Sequence, residues 1–197
     1  MPPKTAASNK IAESILESSG VMAQLAKDTS EIDKIADVLV KAYRRGNKMV
    51  LFGNGGSAAD AQHLATELLG GFMNHDRPSL PALALTTDTS ALTAIGNDYR
   101  FEEVFSRQVE AMVNPGDVVI AISTSGNSKN VLKGVAAARA KKATVVGFTG
   151  QTGGQLKKEC DLCLCVPSTS TARVQESHIT VGHILCAIVE EAMAPSH

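Results

Sequence analysis

Two hydrophobic rhythms run along the chain. From Ile11, apolar residues recur at helical spacing through Ile15, Met22 and Leu25. A second amphipathic stretch carries Ile32, Ile35, Leu39 and Tyr43. Ser30, with Asp33 three residues on, forms a capping-box pattern at its start, and Arg44-Arg45-Gly46 suits its end. Residues 10–46 are therefore expected to be a helical arm of two helices, with 1–9 as a flexible tail. Beyond residue 46 the rhythm changes to short, nearly continuous apolar runs at 49–52, 82–85, 118–122, 144–148 and 162–166. Such runs suit a parallel sheet covered on both faces. Helix-patterned segments lie between them at 58–70, 101–113 and 129–141, and a long one spans about 172–193. The alternation predicts an α/β protein: a three-layer α/β/α sandwich on a five-stranded parallel sheet, with right-handed crossovers and N-terminal helices. No linker divides residues 10–197, which are expected to form a single domain.

Composition narrows the function classes. The chain has 197 residues, 19 Lys+Arg against 20 Asp+Glu, and 4% aromatics. A near-neutral balance argues against a dedicated nucleic-acid or membrane-surface binder. No apolar run approaches the ~20 residues of a bilayer span, and the first ten residues lack the apolar core of a secretory signal. Four cysteines do not make a disulfide scaffold, so a cytoplasmic protein is expected. Cys160-x-x-Cys163 has no second pair to complete a zinc site. Cys163 and Cys165 fall on one face of a strand and read as small hydrophobes.

Candidate chemistry gathers at two alike junctions. Phe52-Gly53-Asn54-Gly55-Gly56-Ser57 and Ile122-Ser123-Thr124-Ser125-Gly126-Asn127-Ser128 each join a strand to a helix. Ligands of open parallel sheets bind beyond the carboxyl ends of strands, where small residues and helix N-termini admit an anion. The second loop has the hydroxyls of a phosphate cradle. The plainer reading makes Ser57 and Ser128 N-caps and the rest turn chemistry. Neither loop matches the dinucleotide or Walker fingerprints, so a phosphorylated small molecule fits better than NAD or ATP. On the helix after the first loop, His63 and Glu67 share a face, with Asp60 and Gln62 nearby. This spacing suits a metal, a base beside its orienting partner, or a solvated pair. On the last helix Gln175, Ile179 and His183 form one stripe, while His178 lies on another face and reads as a packing or capping residue.

Five motifs occur in order: Gly53-Asn-Gly-Gly-Ser57, His63-x-x-x-Glu67, Gly96-Asn97-Asp98, Ser123-Thr-Ser-Gly-Asn-Ser128 and Gln175-x7-His183. In this combination the chain resembles the sugar-isomerase (SIS) domain family and, within it, the phosphoheptose isomerases, over about residues 10–193. The resemblance implies a flavodoxin-like SIS fold and a homotetramer with active sites between subunits. It implies conversion of sedoheptulose 7-phosphate to D-glycero-D-manno-heptose 7-phosphate, the first step toward the ADP- or GDP-heptose of lipopolysaccharide and other surface glycans. By the same resemblance Ser123, Thr124, Ser125 and Ser128 hold the phosphate. Asn54, Gly55, Gly56, Ser57, Asn97, Asp98, Glu67 and Gln175 contact substrate. His63, Glu67, Gln175 and His183 gather around one zinc ion, with Glu67 and His183 as the catalytic acid/base pair. The chain departs from the family at Leu69-Gly70-Gly71-Phe72, where relatives carry an arginine; Arg77 and Arg173 are the candidates to replace it. The alternatives are a non-catalytic SIS-fold scaffold resembling the DnaA initiator-associating protein, a sugar-phosphate-sensing regulator, and an isomerase of another sugar phosphate. That scaffold differs from this chain at the positions of Glu67 and His183, and the regulator reading lacks a DNA-binding extension in the sequence.

Overall fold

The computed structural model describes residues 6–194. Its elements in chain order are α1 (Ala6–Leu25), α2 (Ser30–Arg44), β1 (Met49–Gly53), α3 (Gly56–Gly70), β2 (Ala82–Ala84), α4 (Thr89–Asp98), a 3₁₀ turn (Phe101–Glu103), α5 (Ser106–Met112), β3 (Val118–Ile122), α6 (Lys129–Ala140), β4 (Thr144–Thr149), α7 (Leu156–Glu159), β5 (Leu162–Cys165) and α8 (Thr171–Met193). All four strand pairings are parallel, in the order β2-β1-β3-β4-β5. This is the flavodoxin-like order, whose direction reverses between β1 and β3.

The near-continuous apolar runs follow from burial on both faces. Met49 and Leu51 of β1, with Val118, Ile120 and Ile122 of β3, pack against α2, α3 and α8. Their alternating neighbours Val50, Phe52, Val119 and Ala121 face a second core with Phe105, Val109, Val131 and Val135. Every residue of β1 and β3 is buried. Removing apolar surface from water on both sides is the main source of stability here.

Several local expectations change. α1 already includes residues 6–9, which the sequence placed in a tail; residues 1–5 lie outside the described residues. The capping box at Ser30 does not form: Thr29 holds the N-cap position, its hydroxyl donates to Asp33, and the Ser30 N–H donates to Asp28. Ser57 is no N-cap, because Gly55 occupies that position at φ 59° and α3 starts at Gly56, two residues earlier than expected. Ser128 does hold the N-cap of α6, without a side-chain capping bond. The segment 101–113 divides into a 3₁₀ turn and α5. α4 and α7 have no sequence counterpart, since α4 buries no residue and α7 is one turn long. Among the described residues no helix is long and apolar enough to cross a membrane.

Candidate active site

Both loops singled out in the sequence leave the sheet where its strand order reverses. Asn54 and Asn130 exchange two amide hydrogen bonds, at 2.9 and 2.8 Å, tying the β1 loop to the first turn of α6. Asn54 is therefore engaged by a buried neighbour that sequence reasoning missed; the small exposed residues of this loop are Gly55 and Gly56. In the β3 loop, Ser123 is buried and donates to Ser128 Oγ at 3.1 Å. Ser125 Oγ accepts from the Asn127 N–H, while Thr124 and Ser128 are half-buried. Gly126, at φ +67°, lies so close to Gly153 that a Cβ would sit 2.2 Å from its carbonyl oxygen. The Leu156 N–H donates to the Gly126 carbonyl, so the turn before α7 braces the loop. Hydroxyls and the α6 N-terminus together form an anion-compatible cradle.

α3 and α8 bring the titratable groups together. His63 and Glu67, one turn apart, meet at 2.9 Å between Nε2 and Oε1. His183 crosses from α8, with its Nε2 at 2.9 Å from that of His63. The donor atoms of His63, Glu67 and His183 all lie within 4.8 Å of one another. Two imidazole nitrogens and one carboxylate are an established donor set for a divalent transition metal with an open position, so this cluster fits a catalytic metal. Phe72 stacks on His183, ring centroids 5.2 Å apart and planes at 10°. Nearby, Asp60 Oδ2 is buried without a hydrogen-bond partner among the described residues. Burial pushes its carboxyl above the usual range, and His63 partly opposes that.

The remaining expected residues are placed differently. Gln175 lies against the start of α3, where a Cβ on Gly56 would sit 2.6 Å from its Nε2. It stands two turns before His183 on the same helix, α8. Asn97 donates to Asp98 at 2.8 Å at the exposed end of α4. Among the described residues neither is hydrogen-bonded or ion-paired to the cluster. Arg77 does not replace the family arginine. Its side chain is buried, pairs with Glu190 at 2.6 Å and donates to the carbonyls of Glu67, Leu68 and Pro78. Arg173 is likewise committed, to Glu17, Glu176 and the Ser14 carbonyl.

Sequence reasoning also missed Glu190. It accepts N–H bonds from Phe72, Met73 and Asn74, and so holds the loop that lays Phe72 on His183. Its signal was an acid buried late in an apolar helix, which pattern alone does not distinguish from a surface glutamate. His178 is buried, as a packing residue should be, with Nε2 3.2 Å from the Thr149 carbonyl.

Comparison with known proteins places this geometry. The SIS domain family model matches residues 14–150. A phosphoheptose isomerase from Burkholderia pseudomallei is 52% identical over 186 residues, 93% of this chain and 94% of that protein. One from Aquifex aeolicus is 56% identical over 161 residues, 82% of this chain and 84% of that protein. The solved phosphoheptose isomerase from Francisella tularensis superposes with a TM-score of 0.92 at 36% identity, covering 95% of this chain and 100% of that one. That from Neisseria gonorrhoeae gives 0.87 at 42% identity, covering 93% and 98%. With a His63–Glu67–His183 cluster and an anion-compatible loop at the end of β3, the chain belongs to the phosphoheptose isomerases, aldose–ketose isomerases of the SIS-domain family.

Proposed function

We propose that this chain converts sedoheptulose 7-phosphate to D-glycero-D-manno-heptose 7-phosphate, opening the supply of activated heptose for lipopolysaccharide or related glycans. The observation that carries the reading is the convergence of His63, Glu67 and His183. Aldose–ketose isomerisation moves a proton between C1 and C2 through an enediol, with an acid serving the two oxygens. Glu67 is the base that takes and returns the carbon-bound proton. His183 exchanges protons with the oxygens, and His63, in contact with both, orients them. Ser123, Thr124, Ser125 and Ser128 hold the phosphate. Ser57 supports the first loop, while Asn54, Gly55, Gly56, Gln175, Asn97 and Asp98 form the sugar's surroundings. His63, Glu67, Gln175 and His183 would hold zinc, which would supply a Lewis acid for the carbonyl oxygen. Gln175, which lies beside Gly56, would also contact the sugar.

The working unit in this proposal is a cytoplasmic homotetramer. Exposed Ile11, Ile15 and Leu16 on α1, with Ile184 and Ile188 on α8, support it, because a lone chain leaves this apolar surface in water. Asn97 and Asp98, at the exposed end of α4, then belong to a site completed between subunits.

Incubating the purified chain with sedoheptulose 7-phosphate tests the reading directly. Aldose 7-phosphate should accumulate to an equilibrium reached from either side; no aldose at high enzyme concentration refutes it. Elemental analysis should find one zinc ion per chain, and chelation should lower turnover until zinc is restored. Undiminished turnover in zinc-free protein would leave the cluster as a proton relay without metal.

A further inference from the structure

Residues 71–79 leave the end of α3 as a loop with little apolar anchorage, for among their side chains only Arg77 is buried. Gly71, at φ +101°, turns the chain out of the helix. One carboxylate then holds the turn. Glu190 reaches it from α8 and accepts the N–H groups of Phe72, Met73 and Asn74 at 2.8, 2.6 and 2.8 Å. Arg77 Nε adds a fourth bond at 2.6 Å, which fills the capacity of the carboxylate. On its other side the guanidinium donates to the carbonyls of Leu68 and Glu67, at 2.8 Å each. Both are among the last four carbonyls of α3, which lack partners within the helix.

A buried ion pair is a weak source of stability, because desolvation of both charges offsets their attraction. An apolar pair of similar size would fill the same space, but it could not hold three N–H groups and two carbonyls in fixed places. The Arg77–Glu190 pair therefore secures position, and the positions it secures belong to the active site. Arg77 grips the backbone of Glu67. Glu190 grips Phe72, whose ring lies against His183 with centroids 5.2 Å apart and planes at 10°. The half-buried His183 imidazole meets His63 at Nε2, and the Phe72 ring covers its face. The last torsion of a histidine side chain is otherwise broad. The stack narrows it.

We propose, on the reading of His183 as the group that exchanges protons with the substrate oxygens, that Phe72 is a positioning residue. Seated by the Arg77–Glu190 pair, it fixes the His183 imidazole against His63 and Glu67. Proton transfer needs the imidazole within hydrogen-bond reach of the reacting oxygens. A misplacement of about 1 Å can cost ~10²-fold in rate. One buried pair, gripping Glu67 through its backbone and His183 through Phe72, sets both partners from outside the site. Phe72 acts through His183 and not through substrate, so its loss falls on kcat and leaves KM in place.

The test uses the full chain and the variants Phe72→Leu, Phe72→Tyr and Glu190→Gln. With sedoheptulose 7-phosphate, Phe72→Leu should lower kcat about tenfold or more while KM stays within about twofold. Phe72→Tyr keeps the ring and should turn over at near the wild-type rate. Glu190→Gln puts a donor amide where the loop needs an acceptor, and should also lower kcat. Combined with Phe72→Leu it should lose no more than the worse single variant, because both act through one stack. The imidazole C–H resonances of His183, identified by their loss in His183→Gln, read the stack without substrate. They should shift in Phe72→Leu and in Glu190→Gln, while those of His178, which packs on Phe148, stay in place. Wild-type kcat in Phe72→Leu, a loss carried by KM, an equal loss in Phe72→Tyr, multiplied losses in the double variant, or unmoved His183 resonances would each overturn the proposal. A wild type that forms no aldose refutes the isomerase reading instead, and the His183 resonances then decide the positioning role on their own. Phe72→Leu decides it where Glu190→Gln fails to fold.

Discussion

Gly56 carries a side-chain constraint that the sequence did not announce. A methyl group there would meet the Gln175 amide at 2.6–2.9 Å, the far end of a flexible side chain. Gly56→Ala is therefore expected to displace Gln175 and lower kcat/KM at least tenfold. Stability should change by less than ~1 kcal/mol, since the position lies in the first turn of a helix. Thermal melts beside steady-state kinetics separate the two effects. At Glu67, replacement by Gln keeps the shape and removes the base. Turnover should fall ~10²–10⁴-fold with the fold intact; a fully active Glu67→Gln enzyme would assign the base elsewhere. His63 and Glu67 were legible as a pair because helical spacing puts them on one face. Asn130 and Glu190 were not, because their importance lies in what they touch across the chain.

At the scale of elements, the site depends on how closely α3 and α8 approach. Gly182 makes that approach, since a Cβ there would lie 2.5 Å from Leu64 Cδ2. Gly182→Ala forces either the buried Leu64 side chain or the two helices to shift, one residue from the His63–His183 contact. It is expected to cost ~1–3 kcal/mol by overpacking and to reduce activity at least as much as Gly56→Ala does. A variant with wild-type melting and turnover would show that the helices can repack at this crossing. Helix periodicity predicted both elements well, but not their neighbours. α4 escaped prediction because a helix that buries no residue leaves no apolar stripe to read.

For the whole molecule, His178 and Glu190 are two of the buried groups expected to shape the acid limb of stability. Burial drives the His178 imidazole down to about 4, against its contact with the Thr149 carbonyl. The unfolded chain then binds a proton that the folded state refuses between about 6.5 and 4. Its contribution is complete above the unfolded value and is lost as pH falls through that window. Glu190 acts lower. Burial opposes its ionisation, yet the N–H groups of Phe72, Met73 and Asn74 and the Arg77 guanidinium hold it down to about 2. Its contribution is present above about 4.5 and is lost as pH falls toward 2. Melting temperature should thus decline in two stages on acidification. His178→Leu should flatten the first stage and leave the second; an unchanged profile would remove His178 as its source.

The sequence by itself determined the layered α/β architecture, the strand positions and the pairing of residues within each helix. These depend on local periodicity and on runs of apolar side chains, both of which are written along the chain. It also carried enough motifs in order to point to the family. Tertiary structure decided which residues meet: His183 with His63, Gln175 with Gly56, Arg77 with Glu190 rather than with a ligand. Such meetings depend on helix crossings and loop closures between residues far apart in the chain, and no local pattern encodes them.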